Sequence, residues 1–459
     1  MSSCEEELRK VKAELQLTGD YLEELKKLLN QNPDTGLPVR HLVRQQIARW
    51  IRETPDKPFS FGIIRLDQAY QRIRHTRDKM NVLLYITAQR IQEVAGEGHV
   101  FQSDRSDEFL VFLPGLSRPR ELKQFFTRLN EKLQEPHFPP AADLVFGCRV
   151  GAATFPDHAG SEEELFQNAE IALEMCERRK EPAFLFTQEI GRTFQEKRQL
   201  ESLMSRAVQE GIREFSIVYQ PLVSPEKQVL GCEALMRWNS PDRGFIPPSQ
   251  FIPLAEESGL ILTLGLWILY NALNQLKTWR KTLKTEIYVS INVSSVQLQN
   301  PSFVETVGNI LSSLDLPPRC LHLEVTESAL MEDTAEVILR LKALQFMGVR
   351  IMLDDFGTGY SSLSYLNTLP VDTLKIAKEF VDRIIEDNQS LEVVRTIRSL
   401  AKIFGLTTLA EGVETREQFD SLIGEGCDVI QGYLFSPPVP PGEFAERFLS
   451  GTGELPFRR

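Results

Sequence analysis

Short apolar runs in the second half of the chain repeatedly end in, or carry, a residue able to hold a cation or a phosphate. Glu233 lies in LGCEALMRW, Asn292 follows YVSI, and Glu324 lies in LHLEVTE with Glu327 three residues on. Asp354 and Asp355 follow RIML, Lys375 lies in TLKI, Glu411 follows TTLA with Glu414 close behind, and Gln431 lies in DVIQGY. The steps between successive positions, starting from Glu233, are 59, 32, 30, 21, 36 and 20 residues. Most approximate the ~30 residues of one β/α unit. Taken singly, each acid is explained as a helix cap or a solvated loop residue. Taken together, they follow apolar runs directly instead of sitting in polar loops, which predicts one shared site. Carboxylates gathered in a small space repel: two unit charges about 4 Å apart cost about 4 kcal/mol at an effective dielectric near 20. Divalent cations relieve that cost. Carboxylate and amide oxygens are hard ligands, suited to Mg²⁺ or Mn²⁺ and not to zinc. An acid-lined pocket centred on such ions is an arrangement for phosphoester hydrolysis. Spacing alone names no substrate.

The elements that must position these residues follow from the apolar pattern. Eight strand-like runs lie between Phe215 and about Leu449: Ser216–Val223, Val229–Leu235, Ile287–Ile291, Cys320–Val325, Arg350–Leu353, Thr373–Ile376, Thr407–Ala410 and Asp428–Tyr433. With interleaved helical patterns they predict an α/β fold, a (β/α)₈ TIM-like barrel, whose usual size is ~250 residues. A doubly wound open sheet is the alternative. In such barrels the active site lies at the C-terminal face.

Upstream, Phe59–Leu66, Phe109–Leu113 and Cys148–Thr154 read as strands, and Met80–Val94, Glu121–Leu133 and Glu162–Cys176 as helices, which predicts a smaller α/β domain. Residues 5–29 carry Leu8, Val11, Leu15, Leu22 and Leu25 near helical spacing, the pattern of an amphipathic helix. The expected organisation is a helix over 1–30, a first domain over 31–188, a helical linker over 189–204 and the barrel over 205–459.

Composition narrows the function classes. The chain has 459 residues, 42% hydrophobic and 25% charged, with a formal charge of −12. An acidic chain without a basic run is a poor general binder of DNA, RNA or anionic membranes. A small anionic substrate then needs local positive charge. The six cysteines form no C-x-x-C pair, so a reduced, cytoplasmic protein without a structural zinc is expected. The apolar run Gly259 to Leu273 is too short to span a bilayer, and no membrane segment is expected.

From about Ser205 onward the chain resembles the EAL domain, a cyclic di-GMP phosphodiesterase module. The residues that carry the resemblance are Tyr219-Gln220-Pro221, Glu233-Ala234-Leu235, SINVS at 290–294, LEVTES at 323–328, DDFGTGYSSL at 354–363, AEGVET at 410–415 and QGYLFSPP at 431–438. The resemblance implies two divalent cations, Mg²⁺ or Mn²⁺. One is held by Glu233, Asn292, Glu324 and Asp354, the other by Asp354, Asp355 and Glu411. It further implies that Lys375 and Gln431 orient water, that Arg237 pairs with a substrate phosphate beside Gln220 and Leu235, and that Glu327 braces the loop over 355–362. The implied reaction opens cyclic di-GMP to linear pGpG, in a homodimer formed through this domain. Separately, the amphipathic pattern over 5–29 reads either as a helix that dimerises or relays a signal from a partner, or as one that caps the next domain. A receptor that binds the dinucleotide without hydrolysing it is the alternative. One departure is Ala377, where the family commonly has Asp.

Residues from about Asn32 to Gln188 resemble a GGDEF, or diguanylate cyclase, domain in degenerate form. NPDTGLP at 32–38 matches its opening turn, and Arg105-Ser106-Asp107-Glu108-Phe109 aligns with its signature with both glycines replaced. Arg65 falls where the family places a metal-binding Asp, with Asp67 two residues on. Contacts to nucleotide are replaced around Arg74-His75, and the inhibitory-site positions fall at Gly96 and His99. The resemblance implies a domain without cyclase activity, in a structural or regulatory role.

Overall fold

A computed structural model describes residues 29–66, 77–135, 147–179, 181–331, 334–357, 369–450 and 455–457. The amphipathic pattern over 5–29, Asp67, Arg74-His75 and the segment 358–368 therefore lie outside the described residues, apart from residue 29. The chain divides into two units, Met1–Glu196 and Lys197–Arg459. The division falls inside the helix Gln188–Gln209.

The first unit is a five-stranded sheet of β1 (Phe59–Leu66), β2 (Val100–Gln102), β3 (Glu108–Pro114), β4 (Cys148–Phe155) and β5 (Ala183–Leu185), in the order β2-β3-β1-β4-β5. Side chains alternate faces along a strand. On β1, Phe59, Phe61 and Ile63 join one apolar layer, while Ile64 and Leu66 join the other. Helices Arg40–Glu53 and Glu162–Arg179 cover the first layer, and Arg77–Ala95 and Pro119–Leu133 the second. Burial on both faces explains why β1 shows no regular apolar–polar alternation, although Ser60 and Arg65 interrupt its apolar residues.

The second unit closes eight strands into a barrel: β6 (Phe215–Val223), β7 (Val229–Ser240), β9 (Tyr288–Asn292), β10 (Leu321–Thr326), β11 (Arg350–Phe356), β12 (Thr373–Ile376), β13 (Thr407–Ala410) and β14 (Val429–Ile430). A short β8 (Gly244–Ile246) extends β7. Each of the eight expected runs forms one of these strands. One feature departs from a uniform β/α repeat. β6 runs antiparallel to both of its neighbours, β7 and β14. Only residues 224–228 separate β6 from β7, too few for the dozen or more that a parallel crossover requires. A hairpin follows, with Lys227 in the left-handed region at φ 60°. Helices Ile261–Leu283, Phe303–Leu314, Thr334–Met347, Asn388–Phe404 and Arg416–Gly424 contribute to the apolar core around the barrel. Among the described residues no helix is long and apolar enough to cross a membrane.

The barrel interior has its own small apolar cluster, Leu222, Met352, Leu409 and Val429, with Tyr288 against it. Met352, Leu409 and Val429 each precede a polar candidate by two positions: Asp354, Glu411 and Gln431. Leu222 instead follows Gln220 by two, as the reversed direction of β6 requires. Period-two alternation thus stacks an apolar plug under a polar layer.

Candidate active site

The polar layer brings together side chains from all eight barrel strands or their ends. Glu233, 7% exposed on β7, accepts from both flanks. Asn292 Nδ2 at the end of β9 donates to Glu233 Oε1 at 2.7 Å, and Gln431 Nε2 donates to Glu233 Oε2 at 2.6 Å. Gln431 Nε2 also reaches Gln220 Oε1 at 3.0 Å, and Gln220 Nε2 donates to the Ser436 carbonyl at 3.1 Å. Glu233 is therefore clamped between two amides, and a run of hydrogen bonds ties β6, β7, β9 and the end of β14.

On the other side, Lys375 on β12 is 1% exposed. Its Nζ pairs with Glu324 on β10 and with Glu411 just past β13, and it lies 3.1 Å from Asp354 Oδ1 on β11. Glu324, Asp354 and Glu411 each offer an oxygen within 4.8 Å of the others. Burial would by itself lower the lysine, but the four carboxylates of Glu324, Glu411, Glu233 and Asp354 together hold it well above its usual value. Burial first, then the surplus of neighbouring acids, raises the Glu324 carboxyl, and burial also raises Glu411, with Lys375 opposing. One cation does not balance this cluster.

Two buried acceptor oxygens, Glu324 Oε1 and Gln431 Oε1, have no hydrogen-bond partner among the described residues. A buried acceptor without a donor is costly, and hard oxygen ligands of this kind suit a divalent cation. The residues present therefore fit a divalent cation.

Asp355 and Glu327 stand apart from the close triad. At Asp354–Asp355 the pairing of β11 with β12 shifts register between Leu353 and Phe356. Asp355 takes φ 55°, a left-handed conformation that Asp tolerates better than most side chains. Its carboxyl is raised by burial and by Asp354. Glu327 opens the short helix Glu327–Met331, and its buried Oε2 has no partner among the described residues. The loop it was expected to brace lies mostly outside them.

The acid layer opens into a cavity of about 350 Å³. A second cavity of about 410 Å³ is walled by Leu235, Ile252, Ile261 and Ile268 and carries Arg237 and Asn292 on its lining. Arg237 Nη1 donates to the Met236 carbonyl at 2.9 Å. Half-burial lowers its guanidinium, opposed by Glu233 and Tyr433. Lys378, absent from the expected set, also lines the acid cavity. Its position three residues beyond Lys375, at the start of a helix, was the available signal.

In the first unit Arg65 is held on both sides. Its Nη2 lies 2.8 Å from Glu108 Oε2 and its Nη1 lies 2.8 Å from Glu177 Oε1, while Ser103 Oγ donates to Glu108 Oε1 at 2.7 Å. Arg105 grips Asp107 with two bonds of 3.1 Å.

A closed barrel whose strand ends gather carboxylates, amides and one buried lysine defines a phosphoester-type, cation-ready cup. The chain belongs to the EAL domain family, whose pattern matches residues 204–438. A match to the diguanylate cyclase GGDEF domain over residues 30–182 precedes it in tandem. Among its relatives is the bifunctional diguanylate cyclase/cyclic di-GMP phosphodiesterase MucR of Pseudomonas aeruginosa, 31% identical over 91% of this chain and 61% of that protein. Another is the cyclic di-GMP phosphodiesterase PdeR of Escherichia coli, 30% identical over 92% of this chain and 64% of that protein. The solved PaMucR phosphodiesterase in complex with c-di-GMP is 39% identical, with a TM-score of 0.51, over 54% of this chain and 99% of that one. The chain spans 52% to 61% of the length of the first curated relatives it matches.

Proposed function

We propose that the barrel domain, residues 205–459, is a metal-dependent phosphodiesterase that hydrolyses cyclic di-GMP to linear pGpG. The observation that carries this reading is the gathering of Glu324, Asp354 and Glu411 around Lys375, from four different strands or strand ends. The names of MucR and PdeR, and the c-di-GMP held by the PaMucR phosphodiesterase, support the choice of substrate. Glu233, Asn292, Glu324 and Asp354 would hold one divalent cation, and Asp354, Asp355 and Glu411 a second. Bound there, such ions supply Lewis acidity toward phosphoryl oxygen and make water more acidic.

The chain's own residues do the positioning. Asn292 and Gln431 fix the two oxygens of Glu233, and Lys375 keeps three carboxylates from splaying apart. Arg237, a cation at neutral pH, meets a substrate phosphate from the neighbouring cavity, where Leu235 supplies apolar contact. Gln220 holds Gln431 in place, and Glu327 acts on the segment after Asp355. In the reaction a water oxygen bonds to phosphorus, the P–O3′ bond breaks, and the 3′-oxygen leaves as a hydroxyl. The 5′-phosphate becomes a monoester.

The first domain, residues 31–188, has no cyclase activity in this reading. Arg65, held between Glu108 and Glu177, puts a fixed positive charge where a metal ligand would be needed. A cytoplasmic homodimer formed through the barrel domain, joined by a signalling partner at the N-terminal helix, completes the proposal.

The test is incubation of the purified chain with cyclic di-GMP and Mg²⁺ or Mn²⁺, with products separated by chromatography. Linear pGpG is the expected product. Glu233→Ala is expected to abolish turnover with the circular dichroism spectrum unchanged, because acids on this barrel face serve chemistry and not packing. Unaltered hydrolysis by that variant would overturn the assignment. Tight retention without hydrolysis by the unaltered chain would make it a receptor.

A further inference from the structure

Hydrolysis changes the charge that the acid cavity must hold. A phosphodiester carries one negative charge, whereas a phosphomonoester ionises a second time near pH 6 and carries about −1.5 to −2 at neutral pH. The product therefore brings additional negative charge into a cup already lined by Glu233, Asp354 and Glu411. Lys375 is committed to three carboxylates and is 1% exposed. Arg237 lines the neighbouring cavity and not this one. Among the described residues, the other cation on the lining of the acid cavity is Lys378.

We propose that Lys378 is a ligand for the product phosphate. On this proposal its Nζ leaves its carboxylate partners to pair with the terminal phosphate of the linear dinucleotide, and so sets how tightly the product is held. The inference rests on the phosphodiesterase reading above.

Two features of the structure favour it. Lys378 Nζ now lies 2.7 Å from Asp382 Oδ1 and 2.8 Å from Glu414 Oε1, and all three side chains are close to half-exposed. Exposed pairs of this kind contribute little, so exchanging them for a doubly charged phosphate is favourable. The second feature is Gly412, which follows Glu411 and has φ 69°. A Cβ at that position would overlap Lys378 Cγ and Cδ. The turn that presents Glu411 is thus open only because it lacks a side chain, and the lysine stem fills that opening. The stem is seated against the turn carrying one of the acids, which centres the reach of its ammonium on the cavity rim.

Calorimetric titration of the full chain in Mg²⁺ with pGpG and with GpG, which lacks the 5′-phosphate, tests this. Lys378→Met keeps an unbranched stem across Gly412 and removes the charge. It is expected to weaken pGpG binding roughly tenfold, the usual scale of one charge-assisted hydrogen bond, and to leave GpG binding unchanged. Lys378→Arg is expected to restore pGpG binding. Equal weakening for both dinucleotides, no weakening, or failure of the unaltered chain to bind pGpG would overturn the proposal. Hydrolysis of bis(4-nitrophenyl) phosphate by the unaltered chain reports separately on the acid cluster. If that fails while Lys378 still discriminates pGpG from GpG, the phosphodiesterase reading falls and the phosphate ligand stands.

Discussion

Lys375 is a buried cation facing more anions than it can balance, and removing it should expose the cluster's need for positive charge. Without Nζ, Glu324, Asp354 and Glu411 lose the partner they share. Breaking a buried ion pair by deleting one member costs about 3–5 kcal/mol. Lys375→Met fills nearly the same volume, so the loss is electrostatic and not a cavity. We expect its thermal midpoint to fall well below that of the unaltered chain in chelator, and to recover as Mn²⁺ is added. Binding to the native state raises stability by mass action. A metal-independent midpoint would show that the acids are balanced some other way. At this scale much was legible in the sequence: Glu233, Asn292, Glu324, Asp354, Glu411 and Gln431 each stand beside an apolar run. Two things were not. Lys378 reads as an ordinary surface lysine until Gly412 is seen beneath its stem. The departure of Asp355 from the triad depends on a register shift and a left-handed φ, which two consecutive Asp residues do not announce.

At the scale of elements, burial decides what the sequence discloses. β11 is buried on both faces over Ile351–Leu353, and that apolar run identifies it, whereas β10 alternates, with Leu321, Leu323 and Val325 separated by His322 and Glu324. Direction is a different property, since an apolar run reads the same whichever way its strand points. The antiparallel course of β6 was encoded instead in the five residues 224–228, a length that excludes a crossover helix. Close contacts between elements are another feature that periodicity leaves unmarked. In the first unit Gly151, on β4, faces the helix Glu162–Arg179 so closely that a Cβ would overlap the Leu173 amide nitrogen and the Ala169 carbonyl oxygen. Those are backbone atoms inside a helix and cannot turn aside as a side chain would. Gly151→Ala is therefore expected to cost ~3 kcal/mol, the upper part of the usual overpacking range. Urea unfolding followed by circular dichroism measures it. A loss below ~1 kcal/mol would mean that the helix shifts along the sheet more freely than a close-packed interior allows.

At the scale of the whole molecule, one chain carries two units with opposite charge logic. The barrel leaves an excess of acid in its cup, which a divalent cation can satisfy. The first unit satisfies its acids internally, with Arg65 between Glu108 and Glu177 and Arg105 on Asp107. Burial alone would lower the Arg65 guanidinium, but bonds to Glu108 and Glu177 outweigh it and raise it further, so the charge is permanent at any physiological pH. Among the described residues, the two carboxylates beside Arg65, those of Glu108 and Glu177, are both engaged by its guanidinium, and on the proposed reading neither is left to hold a metal ion for a nucleoside triphosphate. It follows that GTP should not act as an effector through this unit. Two linked sites that communicate change each other's affinity by a coupling of 1–3 kcal/mol, roughly 5–150-fold. We therefore expect the concentration dependence of cyclic di-GMP hydrolysis to be superimposable with and without millimolar GTP in excess Mg²⁺. Arg65→Asp, which replaces the guanidinium with a third carboxylate beside Glu108 and Glu177, is the variant in which a GTP response is expected to emerge. A shift of fivefold or more in the unaltered chain would show that the first unit binds nucleotide despite its arginine, and that the opposite charge logic of the two units is not what separates their roles.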